Sequence, residues 1–171
     1  MEQVVLVDVS DKEVGTMEKL QAHVEGVLHR AISVFIFNGR GELLLQQRAA
    51  GKYHSALQWT NTCCSHPRPG EESLAAANRR LREEMGIVCA LTPAFTFVYK
   101  AAFTNGLTEH EYDHVFIGHY EGDIIPDADE VADWKYMSKE EIMQSIAEEP
   151  ETFTPWFIIC IQQNQKELFK N

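Results

Sequence analysis

The alternation of apolar and polar positions along the chain predicts a β-sheet built from several short strands. Apolar runs typical of strands occur at 4–8, 30–38, 42–48, 94–103, 110–120 and 131–137. A turn at Gly15 follows the first run. The dipeptide Asn38-Gly39 separates the second run from the third and is a strong signal for a hairpin. We therefore expect these two runs to form an antiparallel pair.

Three further segments carry the signals of helices: 71–86, 138–149 and 153–170. The second segment begins with Ser138, followed three residues later by Glu141, which is the pattern of a capping box. The third has Pro155 in its first turn, where a proline is tolerated because the first amides of a helix have no partner within it. Helices and strands mixed in this way predict an α/β fold, with helices packed on the faces of a mixed sheet.

The segment 71–86 is the clearest helix. Its apolar stripe consists of Leu74, Ala77, Leu81 and Met85. Gly86 is suited to end the helix. Arg80, Glu83 and Glu84 lie on a different flank, so we expect them to face a cleft while the stripe packs on the sheet.

Length and charge narrow the class of protein. The 171 residues contain no repeat and no Pro/Gly-rich linker, so we expect one domain over 1–171. The net charge of −11 and the lack of a Lys/Arg run argue against a nucleic-acid partner, although local cations or a metal can still attract a small anion. The chain has no signal-like start and no long apolar stretch, which predicts a cytoplasmic protein without a membrane partner. These features leave its oligomeric state unknown.

Two segments combine residue types that carry chemistry. The strand period of two puts Glu109, Glu111 and Asp113 on one face of a strand, where they would either bind a cation or face solvent. With imidazoles nearby such carboxylates suit Mn²⁺ or Zn²⁺, and alone they suit Mg²⁺. Cys64 lies two residues before His66 in a short His-Pro loop, so both side chains could line one pocket. The alternative is a surface loop without a functional role.

The remaining cysteines and histidines are weaker candidates. His23 and His29 are six residues apart and cannot share one helical face, so a joint ligand role depends on the fold. Four cysteines, two of them adjacent, are a poor disulfide framework in a chain without an export signal, and we expect free thiols. Cys89 and Cys160 are predicted to be small buried residues, and Cys63 a pocket or core residue.

The helix 71–86 and its flanks resemble the Nudix box, the metal- and diphosphate-handling element of the Nudix superfamily. The matching pattern is E-x7-R-R-L-x-E-E-x-G-I, beginning at Glu71. Ser65 stands in place of the opening glycine, and Arg80 stands in place of a glutamate of the box. Because that glutamate helps Nudix hydrolases to hold their metals, its loss argues against pyrophosphate hydrolysis.

Read with the rest of the chain, the pattern resembles the type I isopentenyl-diphosphate isomerase family of the Nudix superfamily. The motifs that carry the resemblance are TNTCCSHP at 60–67 and EHE at 109–111, and it extends from EKLQAH near His23 to FTPW at 153–156. It implies a Nudix-like mixed β-sheet sandwiched by helices. It also implies the interconversion of two prenyl diphosphates by adding a proton to a double bond and removing another.

The resemblance also assigns roles. Cys64 is the implied reacting thiol, opposed by Glu111, with Tyr99 and Trp156 as the pocket aromatics. A first metal site, for Mn²⁺ or Zn²⁺, would consist of His23, His29, His66, Glu109 and Glu111. Glu84 would help to hold a Mg²⁺ that bridges to the diphosphate. The cations that would neutralise the diphosphate are Lys19, Arg48, Lys52 and Arg80. Because cations lie near it, we expect the Cys64 thiol to favour the thiolate.

Two other functions compete with this interpretation. A Nudix pyrophosphohydrolase acting on a nucleotide would use Glu71, Glu83 and Glu84, but would not need the Cys-His loop. A non-catalytic metal- or diphosphate-binding module would keep the His and Glu residues as a structural cluster.

Overall fold

A mixed β-sheet forms the centre of the molecule. The computed structural model describes residues 1–170, and within them the strands are β1 (Gln3–Val7), β2 (Glu13–Glu18), β3 (His29–Phe37), β4 (Leu43–Arg48), β5 (Trp59–Thr60), β6 (Cys63–Ser65), β7 (Leu91–Ala102), β8 (Thr108–His119) and β9 (Val131–Met137). The helices are α1 (Lys19–Glu25), α2 (Ser73–Met85), α3 (Lys139–Glu148) and α4 (Pro155–Leu168), with a short 3₁₀ turn at Pro150–Thr152.

Strand β3 is the hub of this sheet. It pairs antiparallel with β1, β4 and β6, and it pairs in parallel with β8 over its whole length. β8 in turn pairs antiparallel with β7, and β4 with β5 and β9. The predicted hairpin is confirmed, since Phe37 pairs antiparallel with Leu43 across the Asn38-Gly39 turn.

Helices cover both faces of the sheet because β3 buries side chains in both directions. Ile32, Val34 and Ile36 pack against the buried face of α2. Phe35 and Phe37 point the other way, into a second core shared with α3 and α4. The predicted sandwich of helices around a mixed sheet is therefore confirmed.

The helix ends follow the predicted signals. Ser138 and Glu141 form a reciprocal capping box at the start of α3, and Pro155 opens α4. Gly86 ends α2 at φ 68°, where a Cβ would approach the carbonyl oxygen of Ile125 to 2.6 Å. None of the helices within residues 1–170 is long and apolar enough to span a membrane.

Some expectations about individual segments were wrong. Leu74 is 41% exposed, and α2 instead buries Ala76 and the carboxylate-bearing Glu84. The turn at Gly15 is strand β2, an exposed partner of β1 whose burial does not alternate. α1 was missed altogether. Cys63 and Cys160 are buried as expected, but Cys89 is only half-buried.

Candidate active site

The parallel register of β3 and β8 brings the predicted carboxylates next to an imidazole. His29 is the first residue of β3 and lies opposite Glu111 on β8. The side chains of Glu109, Glu111 and Asp113 lie on one face of β8, as the period of two predicts, and all three are buried. The alternative of a solvent-facing strand is thereby excluded. Three buried carboxyl groups need partners that compensate their charge.

Histidines from three other elements meet at these carboxylates. His23 lies on α1, His29 begins β3, and His66 follows β6. One nitrogen from each of these rings and an oxygen of Glu111 all lie within 4.8 Å of one another. The closest approach to the carboxylate is that of His66, whose Nε2 lies 2.9 Å from Glu111 Oε1. The fold therefore joins the two weak candidates, His23 and His29, to the Cys-His loop.

Backbone carbonyls set the orientation of two of these rings. His23 Nδ1 lies 2.6 Å from the carbonyl oxygen of Lys19, and His29 Nδ1 lies 2.8 Å from that of Val27. In the neutral rings Nδ1 therefore carries the hydrogen, and the Nε2 lone pairs point inward. His23 Nε2 is buried and has no hydrogen-bond partner within residues 1–170. A carbonyl bond behind an inward-facing, unpartnered nitrogen is how histidine ligands of metals are held, so the residues fit a divalent ion.

Burial and neighbouring charges divide the acidic groups into two kinds. For Glu109, burial would raise the pKa, but the neighbouring imidazoles of His23 and His54 outweigh this effect and hold its pKa well below the usual range. For Glu111, burial and the charge of Glu109 are outweighed by His29 and His66, and its pKa is also lowered. The pKa of Asp113 is raised well above its usual value by burial and by Glu111. Asp113 is thus a neutral acid, hydrogen-bonded to Ser33, beside two ionised carboxylates.

Tyr99 joins the two ionised carboxylates. It pairs with Glu111 across the β7–β8 ladder, and its hydroxyl oxygen lies 2.6 Å from Glu111 Oε2 and 2.7 Å from Glu109 Oε2. Burial, followed by the two negative charges, raises the pKa of this phenol well above its usual value. The hydroxyl therefore remains protonated and can donate its hydrogen to either carboxylate.

Cys64 lies on β6 with its sulfur turned toward the site. The indole N–H of Trp156 donates to Cys64 Sγ at 3.2 Å, and the thiol donates to Asn61 Oδ1 at 3.2 Å. Burial and the charge of Glu84 raise the pKa of Cys64 to about 12, although Arg48 and Trp156 act in the opposite direction. The expectation that Cys64 is a thiolate is therefore wrong, because the desolvation of the sulfur outweighs the effect of the nearby cations. Cys64 is a neutral thiol.

The predicted cations surround the same cavity, which has a volume of about 410 Å³. Its lining includes Cys64, Tyr99, Trp156 and Glu111 together with the cations Lys19, Arg48, Lys52 and Arg80. Most of these cations are paired. Lys19 contacts Glu2 at 2.8 Å, Lys52 contacts Glu130, and Arg80 contacts Glu84 at 2.6 Å. The guanidinium of Arg48 lies 5.2 Å from the ring centre of Trp156.

Five residues of the cavity were not anticipated: Glu2, Tyr53, His54, Arg68 and Glu130. Glu2 and Glu130 pair with its cations, Tyr53 contributes to its wall, and His54 is buried beside Glu109. Only His54 had a usable signal, as an imidazole two residues after an anticipated cation. The two carboxylates lie in segments that carry no motif, and only the fold brings them to the cavity.

Comparisons with known proteins agree with this architecture. The family model described as NUDIX domain matches residues 27–157. The Isopentenyl-diphosphate Delta-isomerase of Pectobacterium atrosepticum is 58% identical over 157 residues, covering 91% of this chain and 87% of the relative. The Isopentenyl-diphosphate Delta-isomerase 2 of Aromatoleum aromaticum is 52% identical over 162 residues, covering 95% and 86%.

Solved structures resemble the chain in fold alone. The DR0079 protein of Deinococcus radiodurans superposes with a TM-score of 0.73 at 18% identity, covering 86% of this chain and 90% of that protein. The MutT protein of Methanosarcina mazei superposes with a TM-score of 0.67 at 19% identity, covering 82% and 94%.

Proposed function

This chain belongs to the isopentenyl-diphosphate Delta-isomerase family, built on the NUDIX domain, and from that premise we propose that it interconverts isopentenyl diphosphate and dimethylallyl diphosphate. The observation that carries the proposal is the shared cavity. The thiol of Cys64 and the carboxylate of Glu111, which accepts a hydrogen bond from Tyr99, line one cavity together with the cations Lys19, Arg48, Lys52 and Arg80. That arrangement suits a small substrate with an apolar reacting group and a diphosphate.

The reaction moves a double bond by one position. A proton is added at one carbon and another proton leaves a second carbon, through a species with the character of a tertiary carbocation. The enzyme must supply an acid and a base around a flat substrate and keep both from bulk water. Acid–base catalysis of this kind contributes roughly 10²–10⁴-fold, and positioning and electrostatics must supply the rest.

We assign the proton transfers to Cys64 and Glu111. The raised pKa of Cys64 keeps a proton on the sulfur at neutral pH, which suits a group that donates it. Tyr99 stays protonated and donates a hydrogen bond to Glu111 or Glu109. It thereby positions the carboxylate and can relay a proton to it. Because the reaction runs in both directions, each of Cys64 and Glu111 acts as the acid in one direction and as the base in the other.

Trp156 has two roles in this proposal. Its N–H orients the sulfur of Cys64, and its side chain lines the cavity. An aromatic face stabilises a desolvated cation by about 2 kcal/mol. The positive charge that develops on the substrate carbon is therefore partly compensated without a nucleophile that could capture it.

The cations that line the cavity would bind the diphosphate. Lys19, Lys52 and Arg80 are held near it by Glu2, Glu130 and Glu84, so the cations are already ordered before an anion enters. A diphosphate would replace the carboxylates as their partner. Arg80, at the box position where hydrolases carry glutamate, thereby adds to anion binding.

We infer two metal sites. His23, His29, His66, Glu109 and Glu111 would hold Mn²⁺ or Zn²⁺, and Glu84 would help to hold Mg²⁺ with the substrate's diphosphate. A bound divalent ion supplies positive charge that fixes carboxylates and neutralises phosphate oxygens. The side chains of Glu109 and Glu111 are meanwhile held from behind by Tyr99. We also propose a single domain over residues 1–171 that works in the cytoplasm without a nucleic-acid partner.

A pyrophosphohydrolase is the weaker candidate. Glu71 and Glu83 of the box are tied to arginines: Glu71 accepts from Arg79 at 2.7 Å, and Glu83 accepts from Arg80 at 2.7 Å. The positively charged side chain of Arg80 therefore lies among the box carboxylates, where a hydrolase would have a further metal-binding carboxylate. The Cys64–Trp156 contact also has no part in hydrolysis.

The experiment is a product analysis. Purified protein supplied with Mg²⁺ and Mn²⁺ is incubated with isopentenyl diphosphate and, separately, with a panel of nucleoside di- and triphosphates. We expect dimethylallyl diphosphate from the first and no phosphate or pyrophosphate from the second. Release of phosphate or pyrophosphate without any isomerisation would support the hydrolase instead.

A further inference from the structure

His54 is a buried imidazole beside the carboxylate of Glu109. It lies in the segment between β4 and β5, and its side chain is only 3% exposed. Neither of its ring nitrogens has a hydrogen-bond partner within residues 1–170. Leaving a buried polar group without a partner is unfavourable, and a bound cation would supply the missing partner.

The ring points at the metal cluster. His54 Nε2 lies 2.9 Å from Glu109 Oε1, yet the two atoms are not aligned as a hydrogen bond. The Nε2 atom of His23 lies 3.5 Å from the same oxygen and is also unpartnered. The donor atoms of His23, His54 and Glu109 all lie within 4.8 Å of one another. This second group of donors shares only His23 with the group around Glu111.

The hydrogen bond to the carbonyl of Lys19 sets the tautomer of His23. Because Nδ1 of His23 donates its hydrogen to that carbonyl, Nε2 of the neutral ring turns a lone pair, not a hydrogen, toward Glu109. Two electron-rich atoms then face each other at 3.5 Å in a buried site. A cation between the donors removes this repulsion and satisfies the unpartnered nitrogens together.

Aromatic packing holds the ring of His54 in this orientation. It stacks on Phe103 with ring centres 4.6 Å apart and planes at 12°, and it meets the edge of Trp156 at 5.6 Å. Stacking restrains the plane of the ring but gives no partner to its nitrogens. Packing therefore accounts for the burial of His54 and not for the choice of histidine at this position.

We propose that His54 is a further protein ligand of the metal cluster, acting with His23 and Glu109 on a divalent ion of the Zn²⁺ or Mn²⁺ class. Two imidazoles and a carboxylate are donors that such ions accept. The inference rests on the metal cluster of the proposed function. It adds a consequence for the segment 49–58, which carries both His54 and the cation Lys52. Metal binding orders this segment and so prepares one of the cations that receive the diphosphate.

The first test is metal affinity in the absence of substrate. Zn²⁺ is titrated into metal-free protein in competition with a chelator whose absorbance reports free zinc. His54→Phe keeps the stacking on Phe103 without a donor atom, and His54→Ala removes both. The matched control is His119→Ala, which removes an exposed histidine far along β8. We expect Zn²⁺ to bind at least about tenfold more weakly to both His54 variants. Replacing a residue that only hydrogen-bonds to a metal ligand already lowers metal affinity roughly 10–100-fold. The control should bind Zn²⁺ as the wild type does.

The second test reports on the segment itself. Amide hydrogen exchange over 49–58 is compared with and without Zn²⁺, and circular dichroism checks that each variant is folded. Slower exchange on adding Zn²⁺ in the wild type, absent in His54→Phe, supports the ligand role. Wild-type affinity in His54→Phe, or the same slowing of exchange there, would overturn it.

These readings are independent of turnover. If the wild type binds Zn²⁺ through His54 but does not isomerise isopentenyl diphosphate, the ligand role stands and the proposed function fails. If the wild type isomerises its substrate while His54→Phe binds Zn²⁺ as the wild type does, the proposed function stands and the ligand role fails.

Discussion

The indole nitrogen of Trp156 lies 3.2 Å from the sulfur of Cys64 and donates a hydrogen bond to it. This contact joins the first turn of α4 to β6, so the end of the chain helps to orient the proposed acid.

Replacing Trp156 should impair the reaction without destroying the fold. Trp156→Phe keeps an aromatic face but loses the N–H, a hydrogen bond of about 1 kcal/mol, and some of the attraction for a cation. We expect kcat for isomerisation to fall roughly tenfold, which corresponds to about 1.4 kcal/mol in the barrier. Trp134→Phe, on the exposed side of β9, serves as the control. Unchanged kcat in Trp156→Phe would remove the indole from the mechanism.

The thiol of Cys64 should react slowly with alkylating agents at neutral pH. Burial raises its pKa to about 12, and only the thiolate is nucleophilic. At pH 7 its thiolate fraction is about three thousandfold smaller than that of an ordinary cysteine with a pKa of about 8.5. The rate of iodoacetamide labelling at Cys64, followed by peptide mass spectrometry, should rise steadily from pH 7 to pH 10. Rapid labelling at pH 7 would instead indicate the thiolate expected from the sequence.

Removing the hydroxyl of Tyr99 should weaken the reaction by leaving two carboxylates without a shared donor. A hydrogen bond to a charged group contributes about 1.5–3 kcal/mol, so Tyr99→Phe should lower kcat roughly 10–100-fold. Tyr112→Phe, at a half-buried position on β8, is the matched control. The measurement is steady-state isomerisation, with unfolding midpoints to confirm that both variants fold. A Tyr99→Phe variant as active as the Tyr112→Phe control would contradict the positioning role.

The ion pair between Glu71 and Arg79 should stabilise the Nudix-like box in a pH-dependent way. The hydrogen bonds from Arg79 lower the pKa of Glu71 below its ordinary value of about 4.3. A lowered pKa in the folded state contributes stability above pH 4.3, and this contribution is lost as the pH falls through the folded value.

Glu71→Gln should therefore lower the free energy of unfolding by up to about 1 kcal/mol at pH 7, because the pair is partly solvent-screened. The difference from wild type should shrink toward pH 3. Urea unfolding at both pH values, in the presence of a chelator, measures it, with Glu72→Gln as the control for a neighbouring exposed carboxylate. A difference that stays constant with pH would rule out the ion pair as its source.

Local patterns predicted the elements whose signals lie within one segment. The period of two predicted that Glu109 and Glu111 share one face of a strand, and the cap of Ser138 predicted the start of α3. Leu74 was misjudged because helical spacing fixes a stripe, whereas burial depends on where the sheet ends beneath it. β2 and α1 were missed because β2 lacks alternation and α1 has only seven residues, begun by the side chain of Glu18.

The site needed information that no local pattern contains. His29 meets Glu111 only because β3 and β8 pair in parallel across about eighty residues of sequence, in a register that sequence periodicity does not set. The family resemblance named most of the proposed ligands, whereas His54 lies in an irregular segment without any motif. The state of Cys64 also required the structure, since the balance between desolvation and nearby cations depends on burial.

The most direct test of the central claim is proton nuclear magnetic resonance of the reaction in deuterated water. With wild-type protein, Mg²⁺ and Mn²⁺, isopentenyl diphosphate should give dimethylallyl diphosphate that carries deuterium in a methyl group, because the solvent-exchanged acid adds its hydron to the terminal carbon. Cys64→Ala should lower the rate by at least about 10²-fold, and Cys89→Ala should match the wild type. Isomerisation by Cys64→Ala at the wild-type rate, or no deuterated product from the wild type, would contradict the account.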